Sequence, residues 1–393
     1  MSAFHENVLL IGVDGGASEV KAHQVLVLSD EDGALTLSTG PASAATCYER
    51  ITGFESVPMA QQLVAHQRGK LELSEPEVLE GEMWVEATAG VILSVASQAG
   101  ERDVVLGMCF PGLKTKDRRG VAVMKNGPRM PEFCAQLERE LASEGLRLVK
   151  PIHALESDGV ACAWGEECDV QGLLRGTSNA YYVGGGTGLA EAFKLGGEIL
   201  GLDALKSTVA KAWQMEPRPG VGYEELLSMR AMNERFAARA GLPLPLSIDD
   251  QPERRAADGD EHALAVFEEA ADALATLCFE RIRAVHEGRK PAARGKHPRP
   301  GTMLERIVLG QHLGRLYARA DLAHVLRDRT EEALSRAIEQ SGSLVLCTHY
   351  LEGSTLRTGL LAPSTLRPAP AIGAAALALF ADRAATREGS TRG

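Results

Sequence analysis

The chain has few cysteines and no closely spaced pair of them. Its 393 residues include seven cysteines, and no two stand in a C-x-x-C arrangement. An odd number at wide spacing favours reduced, mostly buried thiols over a disulfide framework. The spacing also argues against an iron–sulfur cluster, and the ten histidines do not accompany the cysteines as zinc ligands would. The seven are Cys47, Cys109, Cys134, Cys162, Cys168, Cys278 and Cys347.

Net positive charge is also lacking, since the formal net charge is −11 at pH 7. A protein that binds along nucleic acid needs a broad basic surface to contact phosphates, so this charge argues against a nucleic-acid partner. The first apolar run begins at Val8, which leaves no room for a signal peptide or an N-terminal helix-turn-helix. We therefore expect a cytoplasmic protein with neither nucleic acid nor a membrane as its partner.

A glycine turn between two extended runs is the first positive signal. Residues 8–13 are apolar and rich in branched side chains, and an extended pattern resumes over residues 22–28. Glycines let the main chain approach an anion closely, while a hydroxyl and a lysine add a donor and a positive charge. The turn therefore suits a phosphate, although D-G-G between strands also suits a plain hairpin. Its residues are Asp14, Gly15, Gly16, Ser18 and Lys21.

A second turn of the same kind follows about 170 residues later. Residues 180–183 are extended and apolar, the glycines come next, and the extended pattern resumes at Ala190. Two such units suit two related α/β halves, each with its own phosphate turn. The turn residues here are Gly185, Gly186, Thr187 and Gly188.

Between the two turns, Asp158 stands after an apolar segment and before a run of small residues typical of a helix. A carboxylate at the end of a strand is well placed to accept a proton from a substrate. The same position suits a helix N-cap, and the residues by themselves do not separate the two roles.

The order of these segments resembles that of the ROK-type sugar kinases, within the superfamily of sugar kinases, heat-shock chaperones and actin ATPases. The first turn is similar to the family's first phosphate loop, and the second turn resembles its second. Ser157-Asp158-Gly159 occupies the place of the family's Asn-Asp pair, whose aspartate is the catalytic base. Similar segments run nearly the length of the chain, at residues 14–21, 111–131, 157–159, 185–188, 306–310 and 371–378.

The resemblance implies an α/β protein with the two-domain, actin-like ATPase fold, of ribonuclease H-like type, and a cleft between the domains. The hydrophobic content of 45% is enough for two cores. We expect residues 1–115, with about 371–385 folding back, to form the first domain. Residues 116–370 would form a larger domain that carries Asp158, the second turn, a helical insertion at 213–300 and the adenosine region. Residues 386–393 would be a disordered tail.

By resemblance, the protein is a kinase that transfers the γ-phosphoryl group of ATP to a hydroxyl of a small molecule. Such transfer depends mainly on positioning and charge stabilisation. Asp158 would be the general base, and Asp14 would hold Mg²⁺ through water, since magnesium keeps its hydration shell. The nucleotide would be bound by Gly15, Gly16, Ser18, Lys21, Gly185, Gly186, Thr187, Gly188 and Gly310. The acceptor would be bound by Gly112, Asn126 and Ser157, although Asn126 in Lys-Asn-Gly-Pro also suits a plain turn.

Departures from the family pattern leave the acceptor open. Residues 195–215 lack the Glu and His residues with which the family binds sugar hydroxyls, and they lack its cysteine-rich zinc motif. A hexose, an amino sugar and a cyclitol are all compatible with the sequence. The alternative is a non-catalytic sensor of sugar or nucleotide, but retention of both turns and of Asp158 favours the kinase. The family also leads us to expect a homodimer.

Two long segments show helical spacing, residues 223–240 and 261–287. In the second, the apolar positions fall along one face and predict core packing. A basic loop at residues 288–301 is either a solvated linker or a flap that attracts ATP.

Overall fold

The computed structural model describes residues 8–31, 34–206, 208–288 and 299–390. The chain forms two compact units. Unit 1 comprises Met1–Gly172 together with Pro368–Gly393, and unit 2 comprises Leu173–Arg367. Unit 1 is therefore assembled from both ends of the chain, whereas unit 2 is one continuous segment.

Unit 1 is built on a six-stranded sheet in the order β3-β2-β1-β4-β7, with β8 also paired to β4. Strand β4 is parallel to each of its partners, and β2 is antiparallel to β1 and β3. The strands are β1 (Leu9–Gly15), β2 (Glu19–Glu31), β3 (Ala34–Cys47), β4 (Asp103–Cys109), the hairpin β5 (Leu113–Lys114) and β6 (Val121–Val123), β7 (Arg147–Leu148) and β8 (Leu155–Glu156). The helices are α1 (Met59–Gln67), α2 (Glu75–Ala99), α3 (Phe133–Ser143), α4 (Asp158–Cys168) and, at the end of the chain, α12 (Ala369–Ser390).

Unit 2 repeats this strand order in a five-stranded sheet, β11-β10-β9-β12-β15. Strands β9 and β10 form a hairpin, and β9, β12 and β15 are parallel. The strands are β9 (Ala180–Gly185), β10 (Leu189–Leu195), β11 (Glu198–Gly201), β12 (Arg306–Gly310), β13 (Leu351–Glu352), β14 (Thr355–Leu356) and β15 (Leu361–Pro363). The helices are α5 (Glu224–Leu227), α6 (Met229–Ala240), α7 (Pro252–Ala257), α8 (Glu261–Glu287), α9 (Gln311–Ala318), α10 (Asp328–Gln340) and α11 (Leu344–Tyr350).

Residues 116–172 belong to unit 1, whereas the sequence predicts a second domain that begins at residue 116. The physical reason is strand pairing. Strand β8 continues the sheet beside β4, with Leu155 opposite Met108. Helix α4 follows directly and packs along α12. These contacts place Asp158 in the same unit as Asp14.

Glycines let α12 lie directly against the sheet and against α4. A Cβ atom on Gly12 of β1 would stand 2.0 Å from the carbonyl oxygen of Ala371. A Cβ atom on Gly373, within α12, would stand 1.8 Å from the carbonyl oxygen of Ala161 in α4. Only a residue without a side chain permits backbones to approach so closely. The Gly-Ala-Ala composition of this helix is therefore a packing requirement.

Helix α12 ends at Ser390 and so includes residues 386–390, for which the sequence predicts a disordered tail. Residues 391–393 lie outside the described residues. So do residues 289–298, which form most of the basic loop predicted at 288–301.

Of the two helices predicted in unit 2, one is a single helix and the other is divided into two. Helix α8 spans Glu261–Glu287 as predicted, and its side chains Phe267, Leu274 and Ile282 are buried. The segment 223–240 is two helices, because Ser228 interrupts it. The hydroxyl oxygen of Ser228 accepts a hydrogen bond from the Ala231 amide at 3.3 Å and so caps α6.

Candidate functional site

Three parallel strands of unit 1 end side by side at one edge of the sheet. Asp14, at the end of β1, is aligned with Cys109 of β4, which is aligned with Glu156 of β8. Asp158 comes two residues after Glu156, as the first residue of α4. Ligands of open α/β sheets bind beyond the carboxyl ends of the strands. The structure thus brings both aspartates predicted from the sequence to a single sheet edge.

The carboxylate of Asp14 is half-buried at the end of β1. Burial raises the pKa of Asp14 to about 6, an effect that the charge of Lys21 opposes and the charge of Asp158 reinforces. The thiol of Cys109 lies 3.8 Å from Oδ1 of Asp14. Lys21 faces Asp14 across the hairpin and forms an ion pair with Glu19 at 2.5 Å. Lys21 therefore provides positive charge to two carboxylates, those of Asp14 and Glu19.

Ser157 and Asp158 divide the roles that the sequence left open. Ser157 is the N-cap of α4, and its hydroxyl oxygen accepts a hydrogen bond from the Val160 amide at 3.4 Å. Asp158 is the first helical residue, and its Oδ1 accepts a hydrogen bond from the Gly159 amide at 2.9 Å. Ser157 is therefore the residue that caps α4, and its role in binding the acceptor stays a prediction.

Lys114 is a residue of this edge that sequence reasoning missed. Its Nζ donates to the carbonyl oxygens of Phe110 at 2.7 Å, Gly112 at 2.9 Å and Pro111 at 3.4 Å. Burial lowers the pKa of Lys114 to about 8, and the charge of Asp158 opposes that shift. Three carbonyls use the three donors of the ammonium group. Lys114 therefore fixes the turn after β4 and places a positive charge in the field of Asp158.

The first glycine turn uses one of its predicted phosphate donors internally. The amide of Gly16 donates to the carbonyl oxygen of Glu19 at 2.9 Å and closes the hairpin. Within the described residues, the next two amides, of Ala17 and Ser18, have no hydrogen-bond partner. Gly15 has a packing reason to be glycine, since its Cβ would stand 2.3 Å from the ring of Phe110. The donors that the turn offers to an anion are therefore Ala17 and Ser18.

The segment expected to bind the acceptor is shaped by backbone contacts. Gly112 has a φ of 85°, in the left-handed region, and a Cβ there would stand 2.2 Å from the carbonyl oxygen of Val123. Asn126 is half-buried, and its carbonyl oxygen accepts a hydrogen bond from Nη2 of Arg50 at 3.2 Å. The same nitrogen donates to the carbonyl oxygen of Ala17 at 2.7 Å. Sequence reasoning missed Arg50, because no motif signals a contact between segments so far apart in the chain.

The second glycine turn, in unit 2, also uses a glycine amide in a hydrogen bond within the turn. Gly186 donates to the carbonyl oxygen of Gly188 at 2.9 Å, and its own carbonyl accepts from the Met229 amide at 2.9 Å. Thr187 is half-buried at the tip of the turn. A carboxylate oxygen of Glu224 would lie 3.2 Å from a Cβ on Gly188. The turn is thus seated on the start of α6, with an acidic side chain beside it.

Residues 306–310, one of the segments that resemble the ROK-type kinases, form β12, and α9 begins directly after them. Gly310 must be glycine, since its Cβ would stand 2.1 Å from the hydroxyl oxygen of Tyr182. Gln311 follows with a φ of 54° and forms a β-bridge with Gly185. A glutamine therefore adopts the left-handed conformation that glycine adopts at least cost.

The site residues of unit 1 suit a divalent cation near Asp14. The described residues contain no group of three or more His, Cys, Asp or Glu side chains that could enclose a metal ion. Mg²⁺ needs only one or two carboxylates when its other ligands are water and substrate phosphates. Burial and the charge of Asp158 disfavour ionised Asp14 in the protein alone, and a bound cation would reverse that penalty. The donor set at Asp14 therefore fits a water-mediated magnesium ion.

Solved structures of other proteins share this architecture. A ROK hexokinase from Thermus thermophilus is 17% identical, with 96% of this chain and 99% of that chain covered and a TM-score of 0.55. A ROK family glucokinase from Streptomyces griseus, solved with glucose and AMPPNP, is 18% identical, with 94% and 98% covered and a TM-score of 0.53. The chain has the fold of the ROK-type sugar kinases. That confirms the actin-like α/β fold expected from the sequence.

The same ROK fold is found in a protein with a different task. A ROK family transcriptional regulator, described as a homologue of the E. coli Mlc protein, is 14% identical, with 95% of this chain and 79% of that chain covered and a TM-score of 0.58. No protein-family model matches the sequence, and no curated protein matches it. At these identities the ROK likeness shows the fold alone. No helix in the described residues has the length and apolar character needed to span a membrane.

Proposed function

We propose that the protein is an ATP-dependent kinase that phosphorylates a hydroxyl group of a sugar or sugar-like small molecule. The observation that carries the proposal is the placement of Asp14 and Asp158 at one carboxyl edge of a sheet, in a ROK fold. One carboxylate suits a metal, and the other suits a proton acceptor. Kinases of this fold that are similar to this chain include a glucokinase solved with glucose and AMPPNP.

In the proposed reaction, Asp158 takes the proton of the acceptor hydroxyl. The hydroxyl oxygen forms a bond to the γ-phosphorus of ATP, the bond from that phosphorus to the β,γ-bridging oxygen breaks, and ADP leaves. A positioned general base contributes about 10²–10⁴-fold to such a step. The N-terminus of α4 fixes the carboxylate, because Oδ1 of Asp158 is bonded to the Gly159 amide. Lys114 keeps positive charge near Asp158 and so favours its ionised, proton-accepting form.

The remaining roles concern charge. Asp14 would hold Mg²⁺ through water, and the ion would neutralise developing charge on the phosphates. The amides of Ala17 and Ser18 would donate to phosphate oxygens, with Lys21 nearby. In unit 2 we retain the proposal that residues 185–188 and Gly310 bind nucleotide. ATP as the donor would place the reaction in the cytoplasm.

The acceptor class remains broad in this proposal. Asn126 would donate to or accept from acceptor hydroxyls, since its side chain has no hydrogen-bond partner among the described residues. A hexose, an amino sugar and a cyclitol each present a ring of such hydroxyls.

The test is ADP release from Mg·ATP across a panel of hexoses, N-acetylated amino sugars, anhydro sugars and cyclitols. We expect acceptor-dependent turnover in the wild type and a loss of about 10²–10⁴-fold in kcat for Asp158→Asn. Asp103→Asn is the matched control, because Asp103 begins β4 at the opposite end of the strand from Cys109. Equal turnover in wild type and Asp158→Asn would contradict the role of Asp158.

A non-catalytic sensor of sugar or nucleotide is the second candidate. The observation in its favour is the similarity to a ROK family transcriptional regulator. Binding of an acceptor or of ATP without turnover on any member of the panel would support this candidate. The two candidates are separated by the same experiment, because only a kinase needs a proton acceptor.

A further inference from the structure

Arg50 touches two loops of unit 1 that are distant in sequence. A single nitrogen, Nη2, donates to the carbonyl oxygen of Ala17 at 2.7 Å and to that of Asn126 at 3.2 Å. Ala17 lies in the first glycine turn, and Asn126 lies in the segment predicted to bind the acceptor. The guanidinium group is planar, so its two Nη2 hydrogens have fixed directions. One side chain thus sets the separation of the two loops.

The bond to Ala17 also orients a donor. In a trans peptide the C=O and the following N–H point in opposite directions within one plane. The carbonyl oxygen of Ala17 points to Arg50, so the N–H of Ser18 points away from it. Within the described residues, that N–H has no hydrogen-bond partner. Arg50 therefore holds an anion-binding amide in one orientation before any ligand arrives.

Arg50 is itself held by an aromatic platform. Its Cζ lies 5.7 Å from the ring centroid of Trp84, within the range of a cation–π contact. Trp84 is fully buried in α2 and stacks on Tyr48, with ring centroids 3.9 Å apart and planes 3° apart. Tyr48 is also joined to the glycine turn, because its amide donates to the carbonyl oxygen of Ser18 at 3.0 Å. The stacked rings of Trp84 and Tyr48 therefore restrain the exposed Arg50 side chain.

The loop that contains Asn126, residues 124–130, packs against the same Trp84 ring. A Cβ on Gly127 would stand 2.6 Å from the ring of Trp84, so glycine lets the loop lie against the indole. The hydroxyl of Ser56 donates to the carbonyl oxygen of Gly127 at 3.1 Å. Gln62 pins the start of the loop through both Met124 backbone groups, each at 2.8 Å. Arg50 is the side chain that extends this support to the glycine turn.

We infer that Arg50 is a positioning residue that couples the phosphate-binding turn to the acceptor-binding loop. The inference rests on the proposed kinase function for the identity of the two ligands, but the coupling of the two loops is a property of the protein alone. A ligand that further restrains one loop also restrains Arg50, and through its shared hydrogen bonds the other loop. Binding of nucleotide and binding of acceptor should therefore strengthen each other, and by equal factors.

The test compares Arg50→Met, which keeps much of the side-chain length without donors or charge, with Arg50→Lys, which keeps the charge. Arg68→Met is the matched control, because Arg68 is an exposed arginine at the end of α1 in the same unit. The first readout is amide hydrogen exchange of the ligand-free proteins, in segments 15–20 and 124–130. We expect uptake to rise in both segments for Arg50→Met, to rise less for Arg50→Lys, and to be unchanged for Arg68→Met.

The second readout is the factor by which a saturating acceptor, taken from the panel, lowers the Kd of a non-hydrolysable ATP analogue. In the wild type we expect a factor of about 5 or more, as is typical of coupled sites, and in Arg50→Met a factor near 1. A loss of overall stability alone would not remove that factor while the protein still binds the analogue. Unchanged exchange in both segments, a change in only one of them, or an intact factor in Arg50→Met would overturn the inference.

Failure of this inference and failure of the proposed function would be distinguishable. If the wild type transfers no phosphoryl group to any acceptor, the kinase proposal fails, and exchange in the two segments still decides whether Arg50 couples the loops. If the wild type is an active kinase and exchange in Arg50→Met matches the wild type, the coupling role fails alone.

Discussion

At the scale of single residues, Lys114 offers a direct test through pH. Burial lowers its pKa to about 8, so the ammonium group is charged below that pH and neutral above it. If its charge supports Asp158, kcat/KM should fall as pH rises through about 8. Arginine stays protonated throughout this range, so Arg at position 114 should abolish the fall. The measurement is the pH profile of kcat/KM for wild type and Lys114→Arg.

The control for Lys114 is an exposed neighbour, Lys116. Lys116→Arg should leave the wild-type profile intact. A profile of Lys114→Arg that still falls near pH 8 would assign the basic limb to another group, and the role of Lys114 would then be confined to holding the turn after β4.

Asp14 should cost the protein stability in the absence of metal. Its folded pKa, about 6, is raised above the model-compound value of 3.8, so the folded protein binds the proton more tightly than the unfolded chain does. Ionising Asp14 therefore lowers the free energy of unfolding. This loss is absent below the unfolded pKa, grows between that pKa and about 6, and is constant at higher pH. We expect Asp14→Asn to raise the free energy of unfolding at pH 8 by on the order of 2 kcal/mol, with no gain near pH 4. Urea titrations in EDTA at both values would measure this.

Asp103 provides a control of opposite sign. The Arg147 side chain beside it lowers the pKa of Asp103. Its contribution is therefore favourable above the unfolded pKa and is lost as pH falls through the folded one. Asp103→Asn should slightly destabilise the protein at pH 8. A gain for both variants would show that charge in general, rather than the burial of Asp14, limits stability.

At the scale of elements, the packing of α12 rests on glycine at position 373. A Cβ there would stand 1.8 Å from the carbonyl oxygen of Ala161, which is backbone and cannot rotate away. We expect Gly373→Ala to lower the free energy of unfolding by about 3 kcal/mol, the upper end of the usual range for overpacked core sites. Thermal and urea unfolding of the purified variant would measure the loss.

Gly90 in α2 is the matched control, since it is a helical glycine with nothing within 4 Å of its Cβ position. Gly90→Ala should raise stability by about 0.5–1 kcal/mol, because alanine loses less backbone entropy in a helix. A Gly373→Ala variant as stable as the wild type would mean that α12 can shift away from α4 without loss.

Element by element, what the sequence predicts depends on whether the signal is local. The strands before both glycine turns and the whole of α8 are predicted, because apolar periodicity lies within each segment. The break at Ser228 is not, because a single capping hydroxyl overrides a continuous helical pattern. Lys114 and Arg50 act through carbonyl oxygens, which carry no residue signature. Arg50 in particular contacts residues 33 and 76 positions away, and only the folded chain reveals such contacts.

At the scale of the whole molecule, the two units share one plan. Each sheet begins with an antiparallel hairpin whose turn is rich in glycine, and each continues with parallel strands beside the hairpin's first strand. In each turn one glycine amide donates to a carbonyl oxygen of the same turn, Gly16 to Glu19 in unit 1 and Gly186 to Gly188 in unit 2. The sequence predicts this repetition from the two glycine turns. It does not predict the unit boundary, because the short strand β8 gives too weak a signal.

The route of the chain leads to a last prediction. It leaves unit 1 at Gly172 and returns at Pro368. Both ends lie beside α4, since a Cβ on Gly172 would stand 2.1 Å from the carbonyl oxygen of Glu166, and one on Gly165 would stand 2.0 Å from that of Ala369. A short Gly/Ser linker should therefore be able to replace unit 2. We expect residues 1–172 joined in this way to residues 368–390 to unfold cooperatively on heating, as monitored by near-UV circular dichroism.

Residues 1–172 without the returning helix are the comparison. Their sheet and α4 would expose the surface that α12 covers, including the glycine-lined tracks of β1 and α4 that accept its backbone. Because no other described element packs into those tracks, we expect this fragment to lack a cooperative transition and a near-UV signal. An equally cooperative transition without residues 368–390 would show that α12 is attached to a unit already stable by itself. The loss of that transition would instead make the last helix part of the fold that positions Asp14 and Asp158.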